Sequence, residues 1–352
     1  MNNTRLTPFQ IASAYIGVTI GAGFASGQEI LQFFSYFGPA SFGAIILAAF
    51  MFYFFGVIIL NSGYHLKADS YQEVVYKAGG KFVGLIVDIT ITFFLFGSFT
   101  AMLAGSSSTF TQQLGLPPLF GSILMAAISM VTVLFGISGI VNALSLLIPI
   151  IFTGIIIMTL AIIYLFPISL NDISNLSRPW EAILPLWPLS AVTYVSYNLI
   201  VAIAILAPMG KMTASRADME KGALAGGIGL GIGITAINLI LFSLPEASSY
   251  NIPMNYVANF LSPAVGSTYF IILVAAIYTT AAGGLYGISS RLADPAGPRF
   301  KIMVPIIATG GILASSIGFT SLVRYLYSGV GIVGLILLGA LVYDHLRFRI
   351  KA

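Results

Sequence analysis

The chain has 352 residues, of which 58% are hydrophobic and only 7% charged, with a formal net charge of +4 and no cysteine. An ordinary soluble domain carries about 25% charged residues, so this composition excludes one and points to a protein embedded in lipid. Without cysteine there are no disulfides, thiolate metal sites or cysteine nucleophiles. Basic excess in such a chain reports membrane topology rather than nucleic-acid binding.

A spanning helix needs about 20 mostly apolar residues. In chain order, ten stretches qualify: roughly 8–36, 39–62, 82–112, 117–137, 140–166, 184–209, 219–244, 263–290, 301–319 and 323–345. The opening "MNNTRLTPFQIASAYIG" lacks the short apolar core and cleavage site of a signal peptide, so the first span is expected to be retained. Turn signals divide the spans at Gly38-Pro39, Pro117-Pro118, Pro167 and the run Asp294 to Pro298. Uninterrupted runs such as "LSLLIPIIFTGIIIMTLAIIYLF" do not fit the short alternating strands of an outer-membrane barrel.

With the amino terminus in the cytoplasm, thirteen of the fifteen Lys and Arg residues lie inside and only Arg178 and Arg324 outside. The expectation is a single transmembrane domain over residues 1–352, multi-pass in a cytoplasmic membrane, with both termini cytoplasmic. Ten spans in this orientation permit two inverted repeats, about 8–166 and about 184–345. Folds of that kind bind substrate at the midplane, where the first helix of each repeat is broken.

The first span centres on Gly21-Ala22-Gly23 within "YIGVTIGAGFASGQEI". Glycine inside a helix costs about 0.5–1 kcal/mol relative to alanine. The sixth span centres on Ser196, Tyr197 and Asn198. Backbone groups freed at a break are tolerated at this depth only where they line a cavity. The eighth span centres on "AIYTTAAGG". Hydroxyl oxygens such as those of Thr279 and Thr280 are hard ligands that suit Na⁺. Two plainer readings stand beside these. The glycines could serve close helix packing alone, as the seventh-span ladder "GALAGGIGLGIG" is read. The threonine hydroxyls could bond back to the preceding turn.

The GxxxGxG arrangement of Gly17, Gly21 and Gly23, with A-x-x-T-T from Ala276 to Thr280, resembles the amino acid–polyamine–organocation (APC) superfamily with the LeuT-type fold. The longer string "GAGFASGQEI" is similar, more specifically, to the YkvI-like group of bacterial membrane proteins. The resemblance implies an all-α integral membrane protein of ten transmembrane helices, a 5+5 inverted repeat with helices 1 and 6 broken at the midplane. It further implies a secondary active transporter working by alternating access. In sodium-coupled members the matching positions hold Na⁺, which implicates the carbonyls of Gly17, Ile20 and Ala276 and the hydroxyls of Thr279 and Thr280. Na⁺ is then the coupling ion and no other cofactor is implied. Some relatives replace that cation with a lysine in the fifth span, which this chain lacks.

For substrate, the freed N–H groups of Gly21, Ala22, Gly23, Phe24 and Ala25 would form a positive half-helix end that suits a carboxylate. Phe24 and Phe96 are candidate apolar walls, and Ser196, Tyr197 and Asn198 candidate contacts from the sixth span. An amino acid or related small carboxylate is the first expectation and an organic amine the second. Partners are thus a small molecule and the lipid bilayer, with no nucleic acid.

Glu29 lies six residues beyond Gly23, about 9 Å further along a continuous helix and so in an outer vestibule. It is read as an outer gate paired with Arg324, because a buried charge needs a partner. A proton site, an anchor for a cationic substrate, or pairing with polar neighbours are the alternatives. At the inner face Arg5 and Asp294 could form a latch, and Asp88 is expected to reach the cytoplasmic loops. No nucleophile–base–orienter set or nucleotide loop occurs, so an enzyme is not expected. The functional alternatives are a ligand-sensing receptor subunit of the same fold, as in spore germination receptors, and a proton-coupled or uncoupled exchanger.

Overall fold

The computed structural model describes residues 6–351 apart from 136–137, 170–172, 175, 214 and 296, together with the side chains outside 138–148 and 348–351. The described residues are predominantly helical with no strand beyond an isolated Leu6–Thr213 bridge, and seven helices are long and apolar enough to cross a membrane.

The first span is three short helices: α1 (Pro8–Thr19), α2 (Ala22–Ser26) and α3 (Gln28–Phe33). Thr7 caps α1 through a reciprocal box with Gln10, and Pro8 takes the first helical position, where its missing N–H costs nothing. The ladder stops at the glycines. Gly21 is extended (φ −98, ψ −170), and its N–H turns to the Thr19 carbonyl (3.1 Å) instead of that of Gly17. Ala25 N–H then bonds Gly21 O (3.0 Å) and starts α2. Gly27 ends α2 in the left-handed region (φ 81), and a Cβ there would also press on Met254.

The rest of the bundle follows as α4 (Ala40–Leu66), α5 (Tyr71–Leu114), α6 (Pro118–Phe135), α7 (Ser138–Leu165), α8 (Trp187–Met212), α9 (Arg216–Ser243), α10 (Pro253–Leu261), α11 (Pro263–Leu292) and α12 (Pro298–Ser315). Gly80 (φ 69) kinks α5, so a short preceding helix joins the long one that begins near residue 82. After α13 (Phe319–Leu322) comes a π-helical turn, Val323–Tyr327, and then α14 (Ser328–Lys351). Such turns occur often at functional sites.

α1 packs chiefly on α9 and α8; α2 meets α11, α10 and α5, and α3 meets α9, α8 and the π-turn. The α9 glycines explain the first of these contacts. A Cβ at Gly222 would strike Ile11, one at Gly226 would strike Tyr15, and one at Gly229 would strike Ile16. Small residues let the backbones close, which is how helices associate where lipid offers no hydrophobic drive. Tyr15 fixes the depth of α1 by donating to Phe52 O on α4 (2.8 Å).

Two expectations change. The sixth span is unbroken: α8 runs as one helix from Trp187 to Met212, through Ser196, Tyr197 and Asn198. That triplet has no glycine or proline to interrupt the ladder, and Asn198 Nδ2 satisfies itself on Tyr194 O one turn back (2.9 Å). The first span is divided twice, because Gly27 redirects the chain a second time.

Candidate functional site

Gly27 decides where Glu29 goes. A continuous helix would carry Glu29 away from the break, but the turn at Gly27 folds its carboxylate back onto Gly23. A Cβ built on Gly23 would collide with Glu29 Oε1. Glu29 is 5% exposed, and Oε2 accepts a hydrogen bond from the Tyr197 phenol on α8. The expected vestibule position is therefore corrected: Glu29 sits at the level of the helix break, inside the protein.

The expected Glu29–Arg324 pair is absent too. Among the described residues no ion pair involves Glu29. Arg324, held in the π-turn, donates instead to Ala182 O (3.4 Å). The far end is closed by uncharged groups. Gln28 Nε2 donates to Thr320 Oγ1 (3.1 Å), which donates to Asn251 Oδ1 (3.0 Å), and Gln32 Nε2 donates to Thr320 O (3.2 Å). This clasp ties α3 to α13 and to the loop before α10. Every residue from Ala22 to Gly38, the two glutamines included, is buried.

Tyr197, which holds Glu29, sits in an aromatic cluster. The Tyr197 ring centre lies 5.1 Å from that of Tyr327, 5.4 Å from Tyr194, 5.8 Å from Phe33 and 6.1 Å from Phe94. On the other side of the break, Tyr269 of α11 donates to Ala25 O (2.5 Å) and Ser26 Oγ to Gly23 O (2.6 Å), so carbonyls of α2 are held by side chains.

The expected cation ligands come together in part. Thr280 Oγ1 lies 3.9 Å from where a Gly21 Cβ would stand, which sets α11 beside the break. Gly17 has lost its helical donor, Gly21 N–H, and Ile20 is the C-cap of α1. Ala276 O accepts both threonine hydroxyls, from Thr279 at 3.0 Å and Thr280 at 2.9 Å. Gly17, Gly21 and Thr280 are partly exposed, unlike the buried stretch beyond Ala22.

Other expected residues separate. Ser196 faces away from the break: its Oγ lies where a Cβ on Gly334 of α14 would stand. Of the α8 triplet only Tyr197 reaches Glu29. The Phe24 ring points at Gly233 of α9 and neighbours Phe152. Phe96 does not share its pocket. It lines a groove of about 480 Å³ with Asp88, Thr92 and Arg291. In that groove Asp88 accepts from Tyr71 (2.6 Å) and Tyr76 (3.2 Å) of the short helix before Gly80. Arg5 lies outside the described residues, so the Arg5–Asp294 latch has no described geometry.

Sequence reasoning missed Gln28, Gln32, Thr320, Asn251 and Tyr327. The two glutamines did carry a signal: at i and i+4 they share one face of a short buried helix, where polar side chains need partners.

No protein-family model matches the chain. Two curated relatives do, both from Bacillus subtilis (strain 168). The uncharacterized membrane protein YkvI is 31% identical over 344 residues, 97% of each chain. The uncharacterized protein YyaD is 31% identical over 335 residues, 92% of each chain. Among solved structures, a Na⁺-coupled sialic acid symporter in a substrate-bound outward-open state aligns with a TM-score of 0.61 at 13% identity, covering 97% of this chain and 79% of that one. MhsT in complex with L-phenylalanine aligns at 0.59 and 19%, covering 93% and 87%. Mhp1, a nucleobase-cation-symport-1 family transporter in a closed conformation with bromovinylhydantoin bound, aligns at 0.58 and 17%, covering 95% and 78%. These likenesses give the fold, an all-α multi-pass membrane protein of the LeuT type.

Proposed function

Since the chain belongs to the family of the Bacillus subtilis membrane protein YkvI, we propose that it is a Na⁺-coupled secondary transporter of an amino acid or related small carboxylate or amine, working by alternating access. The observation that carries this reading is the helix break at Ile20–Gly21 with Thr280 of α11 beside it. A membrane helix gives up backbone hydrogen bonds only where something replaces them. Here the Gly17 carbonyl loses its helical donor at a break that Thr280 Oγ1 of α11 adjoins, while Thr279 and Thr280 bond back to the Ala276 carbonyl. Na⁺ held by Gly17, Ile20, Ala276, Thr279 and Thr280 would be the replacement, an all-oxygen shell of the kind hard cations take. The fold supports the same reading, since the Na⁺-coupled sialic acid symporter shares it.

The two ends of the molecule support alternating access. Residues 22–38, which include the clasp glutamines, are all buried, while Gly17, Gly21 and Thr280 are partly exposed. In this reading the clasp is the outer gate, and the conformation is closed outside. Breaking three neutral hydrogen bonds costs little, about 0.5–1.5 kcal/mol each, so such a gate opens readily.

The test is a thermal-shift screen of the purified protein with amino acids and amines, each in Na⁺ and in K⁺. A ligand that binds the folded state raises its apparent melting temperature. The expected result is a hit that needs Na⁺ and is lost in Thr279→Ala/Thr280→Ala. Stabilisation indifferent to Na⁺ throughout would overturn the cation assignment.

A further inference from the structure

Glu29 poses a problem of charge. Its carboxylate is buried at the break, between Gly23 and the Tyr197 phenol. Its partner Tyr197 on α8 is in turn ringed by Tyr194 of the same helix, Tyr327 of the π-turn, Phe33 of α3 and Phe94 of α5. None of these carries a positive charge, and no described Lys, Arg or His forms an ion pair with Glu29. A carboxylate inside a membrane protein is expensive and is paired as a rule, with its partner marking the substrate or ion path. Among the described residues the chain supplies no cation to Glu29, so its counter-charge is a proton or a cationic ligand.

The walls narrow the choice. A hydrated metal ion gains little from phenyl and phenol faces, whereas an organic ammonium buries its apolar body against them and its charge gains from their π-faces. One carboxylate bonded to a phenol of a ring cluster is a complementary surface for a substituted ammonium. It is a poor one for a carboxylate, which would meet Glu29 head-on.

We infer that Glu29 is the docking group for a positively charged nitrogen, so that the substrate of this transporter is an organic amine. The inference rests on the transporter reading and sharpens it. It reverses the order of substrates expected from the half-helix amides alone. Gly23 has a defined part: only a residue without Cβ leaves room for the carboxylate to reach the break. Tyr197 is a positioning residue that holds the carboxylate in place between substrate molecules.

The test uses the full chain in detergent and six probes: phenethylamine, phenethyl alcohol and phenylacetate, and isoamylamine, isoamyl alcohol and isovalerate. Each amine is expected to raise the melting temperature, and its neutral and anionic counterparts are not. Glu29→Gln should weaken amine binding by about a hundredfold, as loss of one partner of a buried charge pair does. Glu29→Asp should keep the preference for amines over alcohols, and it serves as the informative variant if the glutamine form does not fold. Amine stabilisation that survives Glu29→Gln, or carboxylates that stabilise as well as amines, would overturn the inference. So would stabilisation by acidification alone, with no response to either amine, which identifies Glu29 as a proton site. Counterflow in proteoliposomes separates this failure from failure of the transporter reading. A carboxylate accumulated equally by Glu29→Gln would sink the amine and leave the transporter standing. Amine bound through Glu29 but never accumulated would do the reverse.

Discussion

Tyr197 on α8 donates its phenolic hydrogen to Glu29 on α3, and that bond joins side chains 168 residues apart across the break in the first span. Its neighbour Ser196 points the other way, to Gly334, and its hydroxyl has no hydrogen-bond partner among the described residues. The pair gives an internal control. Tyr197→Phe keeps the ring and removes a bond to a charged group, worth about 1.5–3 kcal/mol. Uptake is expected to fall by about tenfold or more. Ser196→Ala removes a buried hydroxyl that makes no bond, so uptake and melting temperature should hold or rise. Initial uptake rates and thermal unfolding of both variants check this.

Gly23→Ala places a methyl group where the Glu29 carboxylate stands. Overpacking of this kind costs about 1–3 kcal/mol. The melting temperature is expected to fall and substrate binding to be lost. Adding Glu29→Ala should recover stability, because the clash is gone, without recovering binding. A double-mutant cycle on unfolding measures the coupling, and additive effects would mean that the two groups do not meet.

The clasp of Gln28 and Gln32 on Thr320 is expected to hold the far end shut. The chain has no cysteine, so a single Ala25→Cys reports access without background. In Gln28→Ala/Gln32→Ala, labelling of that cysteine from the far side should accelerate about tenfold, the effect of losing two neutral hydrogen bonds. An unchanged rate would show that closure depends on other contacts.

Exchanging charges as Glu29→Arg with Arg324→Glu is expected to recover no transport beyond either single variant. The two side chains engage different partners, Tyr197 and the Ala182 carbonyl. Arg324→Ala alone should change uptake little.

The sequence carried the fold because spans are a matter of length and polarity, and both are local. The break at Gly21 was legible for the same reason: clustered glycines in an apolar helix have few explanations. Glu29 was placed wrongly because the left-handed turn at Gly27 was not counted, and one αL residue swings a helix by more than any spacing rule allows for. The α8 triplet misled in another way. Ser196, Tyr197 and Asn198 are polar as a run, yet on one intact helix they face three directions, and only Tyr197 serves the site. The clasp joins Gln28 to Thr320, 292 residues away, and contacts at that separation leave no trace in spacing.

The most direct test of the account is flux. The compound that stabilises the protein most in Na⁺ should be supplied, labelled, to proteoliposomes with Na⁺ outside and K⁺ inside. Internal label is predicted to rise above the external concentration, to collapse when a sodium ionophore is added, and to stay at background in Thr279→Ala/Thr280→Ala. Label that binds but never exceeds the external concentration, with or without the gradient, would contradict a Na⁺-coupled transporter.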